Sequence, residues 1–268
     1  MNKKDFSDDK LAAMSPKEFR SIVRRGETAV STLVACRGYA QANLVVVPEE
    51  MAYEFLMFCQ RNPRPCPVLD ITEPGGPHPK LMAPEADLRT DLSGYRVFRE
   101  GQLIGEPADI TSYWRDDLVA FLLGCSLSFD WVLRAAGISF RLLGAYTTNI
   151  QCVPVGRFHG PMVVSCRLIK GASAAIRTIQ ISSRYPAFHG PPVHIGAPAI
   201  IGIKDFYHPE HFHGHIAAQE PDEVALYWGC GATPQEVAME AKISFMITHG
   251  VGGRTFITDR LTEEMAAL

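Results

Sequence analysis

Residues 113–125 read YWRDDLVAFLLGC and run directly into residues 126–137, SLSFDWVLRAAG. How this passage folds decides the architecture, because it holds the longest apolar run of the chain, LVAFLLGCSLSF. Its apolar positions fit one face of a helix, so 113–125 is read as a helix. The stretch SFDWVLRAAG is read as a second helix, with Ser128 as N-cap and Gly137 just past its end. Gly124–Ser128 is then the turn between them. The run is too short to span a membrane and is interrupted by Gly124.

Upstream, Ser15-Pro16-Lys17-Glu18 is a capping box with proline at the first helical position, opening a helix to about Arg25. Further helices are expected over Val30–Gln41 and Pro48–Gln60. Residues 61–79, RNPRPCPVLDITEPGGPHP, are too rich in proline for a helix or a central strand. Val68, Leu69 and Ile71 argue that this segment lies packed and extended. YRVFREGQLI (95–104) is a hairpin turning at Glu100-Gly101. Downstream, strands are expected over Phe140–Leu143, Asn149–Val153, Met162–Ile169, Ala199–Ile203, Val224–Trp228, Ile243–Thr248 and Thr255–Thr258. Helices are expected over Ser173–Ser182 and from Thr233. Strands and helices mix without strict alternation. The expected class is α/β of the mixed α+β kind, with mixed sheets, covering helices and two intertwined subdomains. One domain over 1–268 is expected, with subdomain boundaries near residues 110 and 220.

The chain has 268 residues, 47% of them apolar and 21% charged, with a net charge of −3. No run of Lys or Arg exceeds two, which argues against a phosphate-neutralising patch and hence against nucleic-acid binding. The N-terminus lacks the apolar core of a signal peptide, so a soluble cytoplasmic protein with no membrane partner is expected. Seven cysteines with wide spacing and no C-x-x-C pair fit neither a disulfide framework nor a cysteine zinc site.

Five stretches carry candidate chemistry. YPAFHGPPVHIGAPAIIGIKD (185–205) holds His189 and His194 in a stiff loop ending at Asp205. Histidine titrates near neutrality and suits proton transfer. Gly124–Ser128 places Ser126 and Ser128 at a helix start, where an anion is favoured; simple capping by Ser128 explains the same residues. Cys125 reads as a buried inert thiol. TNIQCVPVGRFHGPMVVSCR (148–167) contributes Asn149, Arg157, His159 and Arg167, either as a carboxylate clamp or as surface ion pairs. HPEHFHGH (208–215) alternates His211, His213 and His215, but nothing frames them and no metal site is expected. THGVGGRTFITD (248–259) offers His249 before a glycine-rich turn and lacks the ending of a phosphate loop.

Together, RNPRPCPVLDITEPG, ADLRTDLSGYRVFREG, DLVAFLLGCSLSFDWVL, TNIQCVPVGRFHGPMVVSCR, HGPPVHIGAPAIIGIKD, YWGCGATPQ and ITHGVGG resemble the hydro-lyase family that contains the D-glutamate cyclases. The resemblance implies a two-part α/β structure and cyclisation of D-glutamate to 5-oxo-D-proline with loss of water. A carboxylate-binding protein without turnover, and a hydrolase or dehydratase of another small amido or hydroxy acid, are the alternatives. Within the matching motifs, His189, His194, Asp205 and Ser126 are expected to be catalytic, on one cleft. Ser128, Arg89, Asn149, Arg167 and His249 are expected to bind a small carboxylate substrate. No cofactor is expected, although a divalent metal and homo-oligomerisation are left open. Two features depart from the family pattern: Thr147 stands where a basic residue is usual, and the histidines of 208–215 replace an acidic stretch.

Overall fold

Residues 118–124 form a strand, not the helix expected of YWRDDLVAFLLGC, and the architecture is built around it. The computed structural model describes residues 7–26, 31–213 and 218–267, with backbone alone at 212 and 213. In chain order the elements are α1 (Asp8–Ala13), α2 (Pro16–Arg24), β1 (Tyr39–Pro48), α3 (Glu49–Arg61), β2 (Val68–Ile71), β3 (Tyr95–Arg99) and β4 (Gln102–Gly105). Then come β5 (Leu118–Gly124), α4 (Leu127–Ala135), β6 (Phe140–Gln151), β7 (Pro161–Lys170), α5 (Ala172–Ser183), β8 (His194–Ile195) and β9 (Phe212–His213). The chain continues with β10 (Glu223–Gly229), α6 (Thr233–Glu240), β11 (Phe245–His249) and β12 (Phe256–Leu261).

The protein is of mixed α/β class. One sheet runs in the order β2-β5-β1-β11-β3-β4, with β12 also on β1; the other runs β8-β10-β7-β6-β9. The pairings among the described residues are antiparallel.

Strand β5 lies between β1 and β2, and all seven of its residues are buried. Val119, Phe121 and Leu123 enter the core shared by the two sheets. Leu118, Ala120 and Leu122 enter a second core on the opposite face. A strand covered on both faces is a continuous apolar run, and periodicity alone cannot separate it from a buried helix. β1 divides in the same way, Val45 and Val47 to one core and Leu44 and Val46 to the other.

The shared core also takes Val164, Cys166 and Tyr227 from the second sheet, with Phe55 and Phe58 of α3 and Val237 of α6 wedged between the layers. The outer face of the second sheet is covered by α4 and α5, whose Phe129, Leu133 and Ala175 pack with Leu226 and Trp228. Helix α2 starts at the expected capping box: Ser15 Oγ accepts from Glu18 N and the Glu18 carboxylate accepts from Ser15 N.

Other local expectations are corrected. Val30 lies outside the described residues, and 31–38 form turns leading into β1 rather than a helix. Residues 198–201 form a short 3-10 turn, not a strand. The two short strands expected within 140–153 are one strand, β6. Ser126, not Ser128, occupies the N-cap position of α4, and its side chain makes no cap bond.

Candidate functional site

The middles of β1, β6 and β7, the residues just after β5 and the end of β11 border a cleft together with the glycine-rich turn 250–253. Its interior holds about 60 Å³ of free space. That is room for more than one water, and so for a small ligand. Its walls include Asn43, Cys125, Ser126, Ser165, His211, Cys230, Gln235, His249 and Thr255. Asn43 Nδ2 donates to the Gly124 carbonyl at 2.8 Å, tying β1 to the turn after β5. Gly231 makes room for this: a Cβ there would meet Asn43 Nδ2 at 2.0 Å.

Two buried imidazoles line the cleft. His249 ends β11 and is 7% exposed. Its carbonyl accepts from Gln235 Nε2 at 3.1 Å, and Gln235 Oε1 accepts from Arg96 Nη1. The His249 Nδ1 atom is buried without a hydrogen-bond partner. Burial, with Arg96 nearby, lowers its pKa to about 4, against the smaller pull of the Leu44 carbonyl. His211 Nε2 lies 2.9 Å from Thr147 Oγ1 and 3.3 Å from Glu236 Oε1. Burial, followed by the Arg96 charge, lowers the His211 pKa to about 4 as well. Burial and the neighbouring Glu210 and Glu240 raise Glu236. Both imidazoles are therefore neutral near pH 7 and able to accept a proton. Cys125 is no nucleophile, because burial pushes its thiol up to about 12.

The third wall is the Ser126 turn. Ser126 Oγ accepts from Arg167 Nη2 at 3.2 Å, and Ser165 Oγ accepts from Arg167 Nη1 at 3.3 Å. The two hydroxyls are 3.4 Å apart. Arg167 has no solvent exposure and pairs through Nε with Asp130 Oδ1 at 2.6 Å. The rings of Phe129 and Trp228 lie about 5 Å from its guanidinium carbon (5.0 and 5.1 Å).

The residues expected at the site scatter. Ser126 and His249 line the cleft, with Arg167 directly behind Ser126. His189 is 1% exposed and lies outside the lining. Its Nδ1–H donates to the Arg64 carbonyl at 2.6 Å while Arg64 Nη1 donates to the His189 carbonyl. Its Nε2 has no partner, and burial lowers its pKa to about 4. His194 and Asp205 do not join the Ser126 turn as expected. His194 sits on edge strand β8 against the Tyr227 ring, with Nε2–H donating to Ala197 O. Asp205 is exposed in a loop, and its carboxylate accepts from His208 Nδ1 at 2.7 Å and from Tyr207 N at 3.1 Å. Ser128 Oγ is used by the backbone of Gln41. Arg89 is held by both oxygens of Asp87. Asn149 is exposed and donates weakly to Ile200 O at 3.4 Å. Ser165, Gln235 and Asn43 escaped the sequence reading, and His211 entered it only as a metal candidate. His215 and the side chain of His213 lie outside the described residues. Among the described residues, no three His, Cys, Asp or Glu are grouped to hold a metal, and no helix is long and apolar enough to cross a membrane.

Comparison with known proteins agrees with the resemblance. The family model described as D-glutamate cyclase matches residues 119–259, which include every cleft residue named above except Asn43. A Geobacillus kaustophilus protein named "Putative hydro-lyase" is 50% identical over 263 residues, 96% of this chain and 98% of that one. YcsI of Bacillus subtilis, named in the same words, is 48% identical over 95% of this chain and all of its own length (100%). A nitrogen repressor-like protein of Methanococcus jannaschii aligns over 87% of this chain and 91% of its own at a TM-score of 0.38 and 8% identity, too loose a likeness to argue from. With a matching model over more than half its length and near-full-length relatives at this identity, the chain belongs to the D-glutamate cyclase family.

Proposed function

We propose that the cleft is the active site of a hydro-lyase acting on a small amino carboxylate, and that its substrate is D-glutamate, closed to 5-oxo-D-proline. The observation that carries this reading is the pair of buried, neutral imidazoles that share one cleft with the Ser126 and Ser165 hydroxyls. In the reaction the α-nitrogen forms a bond to the γ-carboxyl carbon, and one C–O bond of that carboxyl breaks. The ammonium gives up two protons, and the departing oxygen takes two and leaves as water. Charge is conserved at −1 on each side.

His249, with a free nitrogen and a depressed pKa, accepts the ammonium proton. The His211–Glu236 pair returns a proton to the leaving oxygen. Holding the five-membered ring in a near-attack pose supplies much of the acceleration. The family membership supports the same chemistry, since its relatives carry hydro-lyase names. The test is incubation of purified protein with D-glutamate carrying ¹⁸O in its γ-carboxyl. Mass spectrometry should show 5-oxo-D-proline retaining one label and water receiving the other. D-Glutamate recovered unchanged under conditions where the protein is folded would overturn the assignment.

A further inference from the structure

We infer that Ser126 and Ser165 form an anion seat whose donor strength comes from Arg167, a positioning residue that does not touch the ligand, and that the seat takes a carboxylate or the oxyanion formed from it. The inference deepens the proposed reaction and rests on that reading only for the oxyanion. Carboxylate binding stands by itself.

Hydrogen-bond direction is decisive here. Each serine oxygen accepts an N–H from Arg167, at 3.2 and 3.3 Å. A guanidinium only donates, so both hydroxyl protons are left for other acceptors. The serines can satisfy each other once at most, across a long 3.4 Å contact. At least one O–H is therefore free to point into the cleft that both side chains line. Both serines are nearly buried, at 4% and 5% exposure, so water competes poorly for that donor.

The charges are ordered to favour an anion. Arg167 donates to Asp130 through Nε and to the two serines through Nη1 and Nη2, and Asp130 lines a separate groove with Trp131 and Arg134. Two of the three guanidinium nitrogens thus serve the serines that line the cleft, while the carboxylate that balances the charge is not among the cleft's walls. Asp130 neutralises the arginine without reaching the seat, and the ring faces of Phe129 and Trp228 keep the guanidinium from turning. Charge-assisted hydrogen bonds are about twice as strong as neutral ones, and an oriented dipole needs no reorganisation when charge develops. The unpartnered Nδ1 of His249 in the same cleft is an independent sign that a ligand completes the polar network.

Calorimetric titration with glutarate, a dicarboxylate that cannot cyclise, tests the seat apart from turnover. Replacing both serines by alanine should weaken glutarate binding by about tenfold or more. The double change Arg167→Met with Asp130→Asn, which avoids a stranded buried carboxylate, should weaken it as much. Combining the two sets should add little, because the arginine acts through the serines. If the arginine change costs the same in the presence and absence of the hydroxyls, or if the serine variant binds like the parent, the inference fails. Should the Arg167→Met change prevent folding, judged by thermal melting, the serine variant alone decides. Glutarate binding that depends on the serines in a protein that does not turn over D-glutamate would refute the reaction and leave the seat standing. Turnover and glutarate binding both unaffected by loss of both serines would do the reverse.

Discussion

A side-chain carbon on Gly124 would lie 1.7 Å from the carbonyl oxygen of Ala187. The end of β5 and the loop that carries His189 therefore touch backbone to backbone. Ala187 is followed by Phe188, fully buried, and by His189, whose backbone is left-handed at φ 76°. Neither partner is a flexible side chain that could give way. Gly124→Ala should cost about 3 kcal/mol or more in urea unfolding, at the upper end of overpacking changes. Gly105→Ala, with no contact nearer than 3.7 Å, is the matched control and should cost well under 1 kcal/mol more than an ordinary surface change. Equal stability of the two variants would show that the contact is not tight.

Acid sensitivity follows from the three buried imidazoles. His189, His211 and His249 each have a folded pKa of about 4, below the ordinary histidine value near 6.5. Between these values the unfolded chain binds more protons than the folded one. Their stabilisation is complete above about pH 6.5 and is lost as pH falls toward 4. Each group accounts for at most about 3 kcal/mol. Asp130 and Glu236, raised mainly by burial, act in the opposite sense and soften the loss. Unfolding free energies measured from pH 7 to 4.5 should fall steeply, and His189→Gln should flatten that slope. A slope indifferent to all three histidines would rule the explanation out.

Much of this arrangement was legible in the sequence, and the failures have physical causes. The helix start signalled by the capping box at Ser15 stands where expected because it rests on local hydrogen bonds; α6 does begin at Thr233, but its N-cap is Ala232 and no side chain caps it, so the cap signalled there is off by one residue. The hairpin at Glu100-Gly101 also stands where expected, since its turn needs two left-handed residues and both are present at φ 48° and 74°. The helix read at 113–125 failed because β5 is covered on both faces, which erases the alternation that marks a strand. Ser126 and His249 could be found from loop chemistry. Ser165 could not: it sits in the apolar strand β7, and only the pairing with β6 and the approach of α4 turn it into a wall of the cleft. His194 and Asp205 looked convergent because they share a stiff segment, but sequence proximity does not decide which side of a sheet edge a loop faces.

Arg89 provides a contrast with Arg167. It stands in a family-like motif, yet its Nε–Nη2 fork is taken by both oxygens of Asp87, at 2.9 and 2.7 Å, and Asp87 is held low by that pairing against the cost of its partial burial. A substrate carboxylate seeking that fork would have to displace a bidentate partner already in place. Arg89→Met should leave the KM for D-glutamate within about twofold of the parent. A tenfold rise would return Arg89 to the binding site.

His249→Asn removes a proton acceptor while keeping a polar side chain of similar reach. Turnover should fall by about a hundredfold or more, the usual range for a lost general base, with glutarate affinity nearly unchanged. In the parent, kcat/KM should show no acid limb near pH 6.5. Protonation of His249 would produce one only near pH 4. Activity that halves around pH 6.5 would point to a different, more exposed imidazole, of which His194 is the first to test.

In the proposed reaction the leaving oxygen takes its proton from the His211–Glu236 pair. Glu236 Oε1 lies 3.3 Å from His211 Nε2, at the edge of the cleft. Burial raises the carboxyl and the Glu210 and Glu240 charges add to it, while burial lowers the imidazole. Both shifts favour an uncharged pair over a carboxylate–imidazolium pair. Glu236→Gln keeps an N–H donor to His211 but has no proton to release. It should lower kcat by about tenfold to a hundredfold and leave KM little changed, because the lost function operates only in the transition state. Glu236→Asp retains the acid but shortens its reach, and it should recover part of the rate. His211→Asn should be no worse when combined with Glu236→Gln than either change alone, since the two act as one donor. If Glu236→Gln turns over D-glutamate at the parent rate, the pair is only a structural contact, and the water must take its proton from the Ser126–Ser165 hydroxyls instead.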